Sequence, residues 1–208
     1  MKAGSGETTN PILQLLRNPV LYDSVQRIAG ADRVRREFVE HIVRPDKGVR
    51  LLDLGCGTGD LLACLGNVRY VGIDFNADYI TARKRYPGRG SFFVGDATKF
   101  SDQAGGPFEI IVAFGLLHHI NDAGVSEITS ALPKVLVRGG KFVSVDPCFD
   151  LDQSPVQRWM VSRDRGRAVR TPEGYRKLFP TSFVIKHQVR HNWLNIPWSH
   201  CIITATVT

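Results

Sequence analysis

Residues 51–60 read LLDLGCGTGD: an apolar pair, a carboxylate at Asp53, then glycine at positions 55, 57 and 59 before Asp60. An apolar run that feeds a glycine turn and then a helix is the order of a nucleotide-binding strand–loop–helix unit. Glycines at alternate positions permit positive φ, and they let backbone N–H groups come close to a ligand that a Cβ would hold away. The next apolar segment, 69–74, ends in a second carboxylate. This is Asp74, 21 residues after Asp53, about where an acid at the end of a second strand grips ribose hydroxyls.

The rest of the chain alternates in the same manner. Upstream, 11–17, 20–28 and 31–43 read as amphipathic helices, the last with Val34, Phe38 and Ile42 on one face. Strand one follows at 49–54, then a short helix at 60–65, strand two at 69–74, a helix at 77–86 capped by Asn76, and strand three at 91–94. Residues 108–114 are unbroken apolar, as suits a strand buried on both faces. A helix at 123–137, capped by Asp122, contains Pro133, which should kink or shorten it, and Arg138-Gly139-Gly140 ends it ahead of strand five at 141–145. Ser154-Pro155 and Thr171-Pro172 each set a capping hydroxyl before a proline at the first helical position, with a turn at 162–167 between the two helices. Segments 183–193 and 199–207 have no helix between them and should pair antiparallel.

These elements predict an α/β fold: a Rossmann-like, doubly wound, mostly parallel seven-stranded sheet with a C-terminal antiparallel hairpin. The expected organisation is one domain over 1–208, with a helical cap at 1–48, a ligand-binding core at 49–147, a substrate-side helical segment at 150–178 and the hairpin at 183–207. Asp53, Gly55, Asp74, Asp96, Gly115 and Asp146 all fall at the carboxyl ends of strands, the edge where such sheets bind ligands.

With 208 residues of which 43% are hydrophobic, the chain can bury one sizeable core. The N-terminus lacks the apolar stretch of a secretory signal, and the longest apolar run, 110–117, falls far short of the roughly 20 residues that span a bilayer. A cytoplasmic protein without stable membrane insertion is expected. Cys56, Cys64, Cys148 and Cys201 form no C-x-x-C pair and read as structural thiols, and the histidines lack partners at ligand spacing, so no metal is expected. The formal charge of +7 is unevenly placed: residues 158–177 hold seven basic side chains against Asp164 and Glu173. A solvated helical face and an anion-binding surface are both open readings of that segment, and the predominance of arginine over lysine favours bidentate recognition.

The glycine loop departs from the dinucleotide pattern, because Asp60 stands where G-x-G-x-x-G has its third glycine. A carboxylate at that helix start repels a pyrophosphate, and without G-K-[ST] the loop is not a P-loop. Asp53 through Gly59, with Asp74 and Gly95-Asp96-Ala97 at their spacings, closely resembles the class I S-adenosylmethionine-dependent methyltransferases over about 49–147. Leu116-Leu117-His118-His119 is similar to the small-molecule subgroup called type 11. The resemblance implies S-adenosylmethionine as cofactor. It implies that Gly55, Cys56, Gly57, Thr58 and Gly59 hold the methionine portion, with Asp53 orienting its ammonium. It further implies that Asp74 takes the ribose hydroxyls, Phe75 packs on the adenine, Asp96 and Ala97 read the adenine edge, and Phe114 and Gly115 line the cofactor under the sulfonium.

Methyl transfer is an in-line displacement in which the protein mainly aligns the reactants, and a hydroxyl acceptor would also need a general base. His118, His119 and Asp146 stand at the appropriate edge for that role. Acceptor contacts are expected outside the common core, from Tyr22 and Arg27 in the N-terminal helices and from Arg163, Arg167 and Arg170. Those arginines point to a small acidic acceptor. A nucleic-acid acceptor would call for aromatics interleaved with the charge, and the segment offers only Trp159 and Tyr175. A non-enzymatic cofactor-binding module is the third reading, and the sequence carries no signal for oligomeric state.

Overall fold

Successive residues of a strand point to opposite faces of its sheet, so an unbroken apolar strand must be covered on both. The computed structural model, which describes residues 30–80 and 86–207, realises this along the central strands. In β1 (Arg50–Leu54), Leu52 and Leu54 enter one core and Leu51 the other; in β4 (Phe108–Phe114), Ile111 and Ala113 part from Ile110 and Val112 in the same way. The other strands are β2 (Arg69–Asp74), β3 (Ser91–Val94), β5 (Leu136–Pro147), β6 (Phe183–His191) and β7 (Ser199–Val207). The sheet order is β3-β2-β1-β4-β5-β7-β6, with β1 through β5 parallel and β7 antiparallel to both its neighbours. The expected seven-stranded architecture with its antiparallel hairpin is the one observed. The chain builds outward from β1 to β3, then returns to lay β4 on the other side of β1, which puts the topological switch point between β1 and β4.

Differences from the expected elements are local. Helix α1 (Ala31–Glu37) continues as a π-helical turn, Phe38–Val43, so the buried set is Val34, Phe38, Val39 and Val43, and Ile42 is only partly covered. Helices α2 (Asp60–Cys64), α3 (Ala77–Ile80) and α4 (Phe100–Gln103) are short. Helix α5 (Asp122–Val135) is capped by Asn121, whose Oδ1 accepts the Gly124 N–H at 2.9 Å; Asp122, expected as the cap, instead pairs with Arg170. The helix passes Pro133 and ends two residues later. There Leu136 pairs with Phe108, so β5 begins five residues before the expected start and takes the Arg-Gly-Gly turn in as a register shift. Helices α6 (Pro155–Val161) and α7 (Pro172–Arg176) start at the expected caps, Ser154 with a full capping box to Gln157 and Thr171 to Gly174. The helices expected at 11–17 and 20–28, with Tyr22 and Arg27, and residues 81–85 of the expected 77–86 helix lie outside the described residues.

Helix α1 covers one face of the sheet and reaches its carboxyl edge, where Phe38 meets Phe114 edge-on with ring centroids 5.2 Å apart. Glu37 fastens it to the hairpin by accepting the Trp193 indole N–H at 2.6 Å. Phe38 is fully buried at this junction. Phe38→Ala is expected to lower unfolding free energy by about 3–5 kcal/mol in urea titration, and a loss under about 1 kcal/mol would show that α1 is not part of the core.

Candidate functional site

The glycine turn leaves β1 at the switch point with Gly55, Gly57 and Gly59 at φ of +70°, +52° and +80°. Gly55 and Cys56 donate their N–H groups to the Ile73 carbonyl at 2.8 and 3.0 Å, which pins the turn to the end of β2. Asp74 completes the tie: Oδ2 accepts the Gly57 N–H at 2.8 Å and Oδ1 the Asn76 N–H at 2.9 Å. The glycines serve different needs. A Cβ on Gly55 would lie 2.8 Å from Leu116 Cδ1, whereas one on Gly57 would meet nothing within 4 Å. Gly55 therefore permits close packing between the β1 and β4 exits, and Gly57 keeps backbone open toward a guest. Cys56 is turned inward, against Gly72, so its contribution to the turn is backbone.

Beneath the turn Asp53 is buried and accepts the Tyr70 hydroxyl at 2.7 Å. Burial pushes its carboxyl up to about 7, against the lowering effect of the Tyr70 hydrogen bond and with a further push from Asp74. A cation placed here would reverse that shift. Asp60 is paired with Arg35 at 3.5 Å, so the negative character of this edge rests on Asp53 and Asp74 more than on the helix start. Phe75, directly after β2, is 80% exposed. Asp96 caps the 3₁₀ turn Ala97–Lys99 by accepting the Thr98 N–H at 2.8 Å and hydroxyl at 3.0 Å, which holds its carboxyl below the usual range. Across the switch point Gly115 turns at φ +67° with its N–H on the Val145 carbonyl, and Phe114 has the Arg35 guanidinium 5.8 Å from its ring centroid.

At the ends of β4 and β5, three of the expected residues, His118, His119 and Asp146, meet in one cluster. Asp146 Oδ1, at the end of β5, accepts from the His118 backbone N–H at 3.1 Å and lies 2.9 Å from His118 Nδ1; Oδ2 is buried without a hydrogen-bond partner among the described residues. The other ring nitrogen of His118 is 3.3 Å from Asp164 Oδ1. His118 is thus fixed at both nitrogens. His119 packs against it with centroids 4.0 Å apart and rings tilted by 41°, stays partly open to solvent, and is held below the ordinary imidazole range first by partial desolvation and then by His118. Nearby His200 is buried with Nδ1 unpartnered among the described residues, and burial pulls it down to about 4.

Three features that sequence reasoning missed hold the 164–168 turn over His118. They are the Asp164 contact, the Ala168 N–H on the His118 carbonyl at 3.0 Å, and Gly166, where any Cβ would strike the His118 ring and carbonyl. The available signal for Gly166 is a glycine within an arginine-rich run, which marks the expected turn at 162–167 but not what packs against it. Arg170 needs correction. Its guanidinium donates to the carbonyls of Leu117, Ile120 and Ala168 and to Asp122, four hydrogen bonds within the protein, and pairs with the Asp122 carboxylate. It straps the His118 turn instead of reaching for substrate. Arg163 and Arg167 remain exposed. Among the described residues no His/Cys/Asp/Glu cluster could hold a metal.

Two outcomes follow from this geometry. The folded pKa of Asp53 is raised from 3.8 to about 7, so its contribution to stability is complete below about pH 4 and is lost as pH rises through 7. Asp53→Asn should flatten the pH dependence of ligand-free stability across that window and make the variant the more stable protein at pH 8; an unchanged slope would contradict the burial argument. Arg170→Ala strands three carbonyls and should cost more than about 2 kcal/mol by chemical denaturation, whereas Arg163→Ala should cost less than about 0.5 kcal/mol. Equal costs would contradict the division between strap and free arm.

Residues 51–140 match the family model described as a methyltransferase domain. Over 143 residues the chain is 30% identical to demethylmenaquinone methyltransferase of Leptospira interrogans; the match takes in 61% of this chain and 55% of the relative, so it spans about half the length of the curated protein. Among solved structures, magnesium protoporphyrin IX methyltransferase from Synechocystis, with bound SAH, shares the fold at a TM-score of 0.66 and 18% identity, over 95% of this chain and 99% of that one. The pyocyanin biosynthetic protein PhzM does so at a TM-score of 0.69 and 18% identity, over 95% of this chain and 61% of that one. Residues 51–140, which hold the glycine turn, thus match a methyltransferase domain, and the sheet has the fold of these solved methyltransferases.

Proposed function

We propose that this protein transfers a methyl group from S-adenosylmethionine to a small acceptor that carries a negative charge. The observation that carries the reading is the cradle at the switch point: Gly57 open on one side, Asp74 gripping its N–H, Asp53 buried below and pushed toward its neutral form, and Phe75 exposed beside it. These residues fit a ligand with an ammonium, a ribose and a flat base. Asp53 would hold the ammonium, the backbone of Gly55, Cys56, Gly57, Thr58 and Gly59 the methionine portion, Asp74 the ribose hydroxyls, Phe75 one face of the adenine, Asp96 and Ala97 its edge, and Phe114 and Gly115 the wall beneath the sulfur. Bound there, the cofactor would supply an electrophilic methyl on a sulfonium, which an acceptor nucleophile would take as the carbon–sulfur bond broke with its electron pair left on sulfur.

The chain's own part is alignment and water exclusion, which in well-oriented reactions is worth on the order of 7–11 kcal/mol. His118, locked between Asp146 and Asp164, positions the turn that carries His119. His119, exposed and unprotonated at neutral pH, is the group that can take an acceptor proton. Arg163 and Arg167 reach from the turn above His118 to the anionic part of the acceptor. The relative that acts on demethylmenaquinone and the neighbour that acts on magnesium protoporphyrin IX support a small-molecule acceptor over a macromolecule.

The test is transfer of labelled methyl from S-adenosylmethionine to a panel of acidic metabolites and their neutral or esterified analogues. Label should enter acidic acceptors selectively, and replacing Arg163 and Arg167 together by alanine should raise acceptor KM with cofactor affinity unchanged. Selective labelling of neutral analogues, or an unaltered KM, would remove the anionic assignment. Because alignment dominates, His119→Ala should cost less than about tenfold in turnover; a loss of three orders of magnitude would make proton abstraction the controlling step.

A further inference from the structure

The acceptor-side segment carries a surface that methyl transfer does not require. Leu151 is 98% exposed, Val156 57% and Trp159 60%. Val156, Trp159 and Arg163 are three and four residues apart, which aligns them on one side of α6 and its exit. Beside them Phe149, Pro155, Arg158, Trp159 and Ser162 line an open hollow of about 510 Å³. The Arg158 guanidinium lies 5.6 Å from the Phe149 ring centroid and that of Arg163 lies 5.4 Å from the Trp159 centroid. Arg158, Arg163, Arg165 and Arg167 are all exposed around this apolar set. The acids of the same stretch are otherwise placed: Asp164 faces His118, Asp150 faces His191 at 3.2 Å, and Asp152 alone is an exposed carboxylate at this surface.

An apolar patch of Leu, Val and Trp ringed by arginines has the composition of an interfacial surface. The tryptophan has an apolar body and a polar N–H that suit the headgroup boundary, and arginine binds phosphate through paired donors. No helix among the described residues is long and apolar enough to cross a membrane, so attachment by this surface would be peripheral. We propose that the 149–167 segment docks the protein on an anionic phospholipid surface, with Leu151, Val156 and Trp159 entering the headgroup layer and Arg158 and Arg165 against lipid phosphates. Charge complementarity selects this occupant: four cations against one exposed acid favour an anionic surface, and the open, shallow form of the patch suits a planar one. The Asp164 contact places the docked segment directly on the His118 turn, so acceptor partitioned into the lipid would arrive at the candidate active site. The proposal goes beyond the methyltransferase reading, and its readout needs no turnover.

The experiment is co-sedimentation of the intact protein with phosphatidylcholine vesicles and with vesicles containing equal phosphatidylglycerol, while S-adenosylhomocysteine binding is followed in parallel as the control for a folded protein. Binding should be confined to the anionic vesicles and should weaken as salt rises. Arg158→Ala should lower partitioning about fivefold, and Leu151→Ser with Trp159→Ala by tenfold or more, both with S-adenosylhomocysteine affinity retained. Absence of binding to anionic vesicles, or binding indifferent to Leu151 and Trp159, would overturn the proposal. So would tight salt-dependent binding of a single-stranded oligonucleotide in place of vesicles, or self-association that buries Trp159. Loss of S-adenosylhomocysteine binding by the wild-type protein would instead count against the cofactor assignment alone.

Discussion

The hydrogen bond from the Gly57 N–H to Asp74 Oδ2 is the contact on which the candidate site depends. It joins the turn after β1 to the end of β2, and it does so with a carboxylate that a ribose would also need. A left-handed turn of glycines has little conformational preference of its own. Ties to the Ile73 carbonyl and to Asp74 give it one, so the backbone is arranged before any ligand arrives. Preorganisation of this kind reduces the ordering that binding would otherwise demand.

The same edge places two acids close together in a buried setting. Asp53 is held by one hydroxyl and pushed toward its neutral form, which is a poor arrangement for stability and a good one for receiving a cation. The cost is carried by the two cores on either face of the sheet and by α1, whose Phe38 packs against Phe114 at that edge. Around His118 the logic is opposite. His118 and Arg170 have their polar atoms satisfied within the protein, and the arginines that can meet a solute project from the turn they support.

Most of the fold was legible in sequence because its signals are local. Alternation of apolar runs with capped helices gave the strands and their parallel order, and the missing helix between 191 and 199 marked the antiparallel hairpin. The cradle was legible for the same reason, since Asp53, the glycines and Asp74 lie within one strand–loop–strand unit. What was not legible depends on which distant residue a side chain meets. Asp122 looked like a cap and is an ion-pair partner 48 residues from Arg170; Arg170 looked like an anion-binding arm and is a strap; Gly166 lies in the expected turn, and its missing side chain leaves room for the His118 ring. The early start of β5 was also hidden, because Leu136 reads equally as the end of a helix until its pairing with Phe108 is seen.

The account stands most directly on ligand selection by the cradle, which calorimetric titration of S-adenosylhomocysteine and of NAD into the wild-type protein and the Asp74→Asn variant would measure. It predicts one S-adenosylhomocysteine bound per chain, no measurable NAD, and at least a tenfold loss of S-adenosylhomocysteine affinity in Asp74→Asn. Preference for NAD, or affinity indifferent to Asp74, would contradict it.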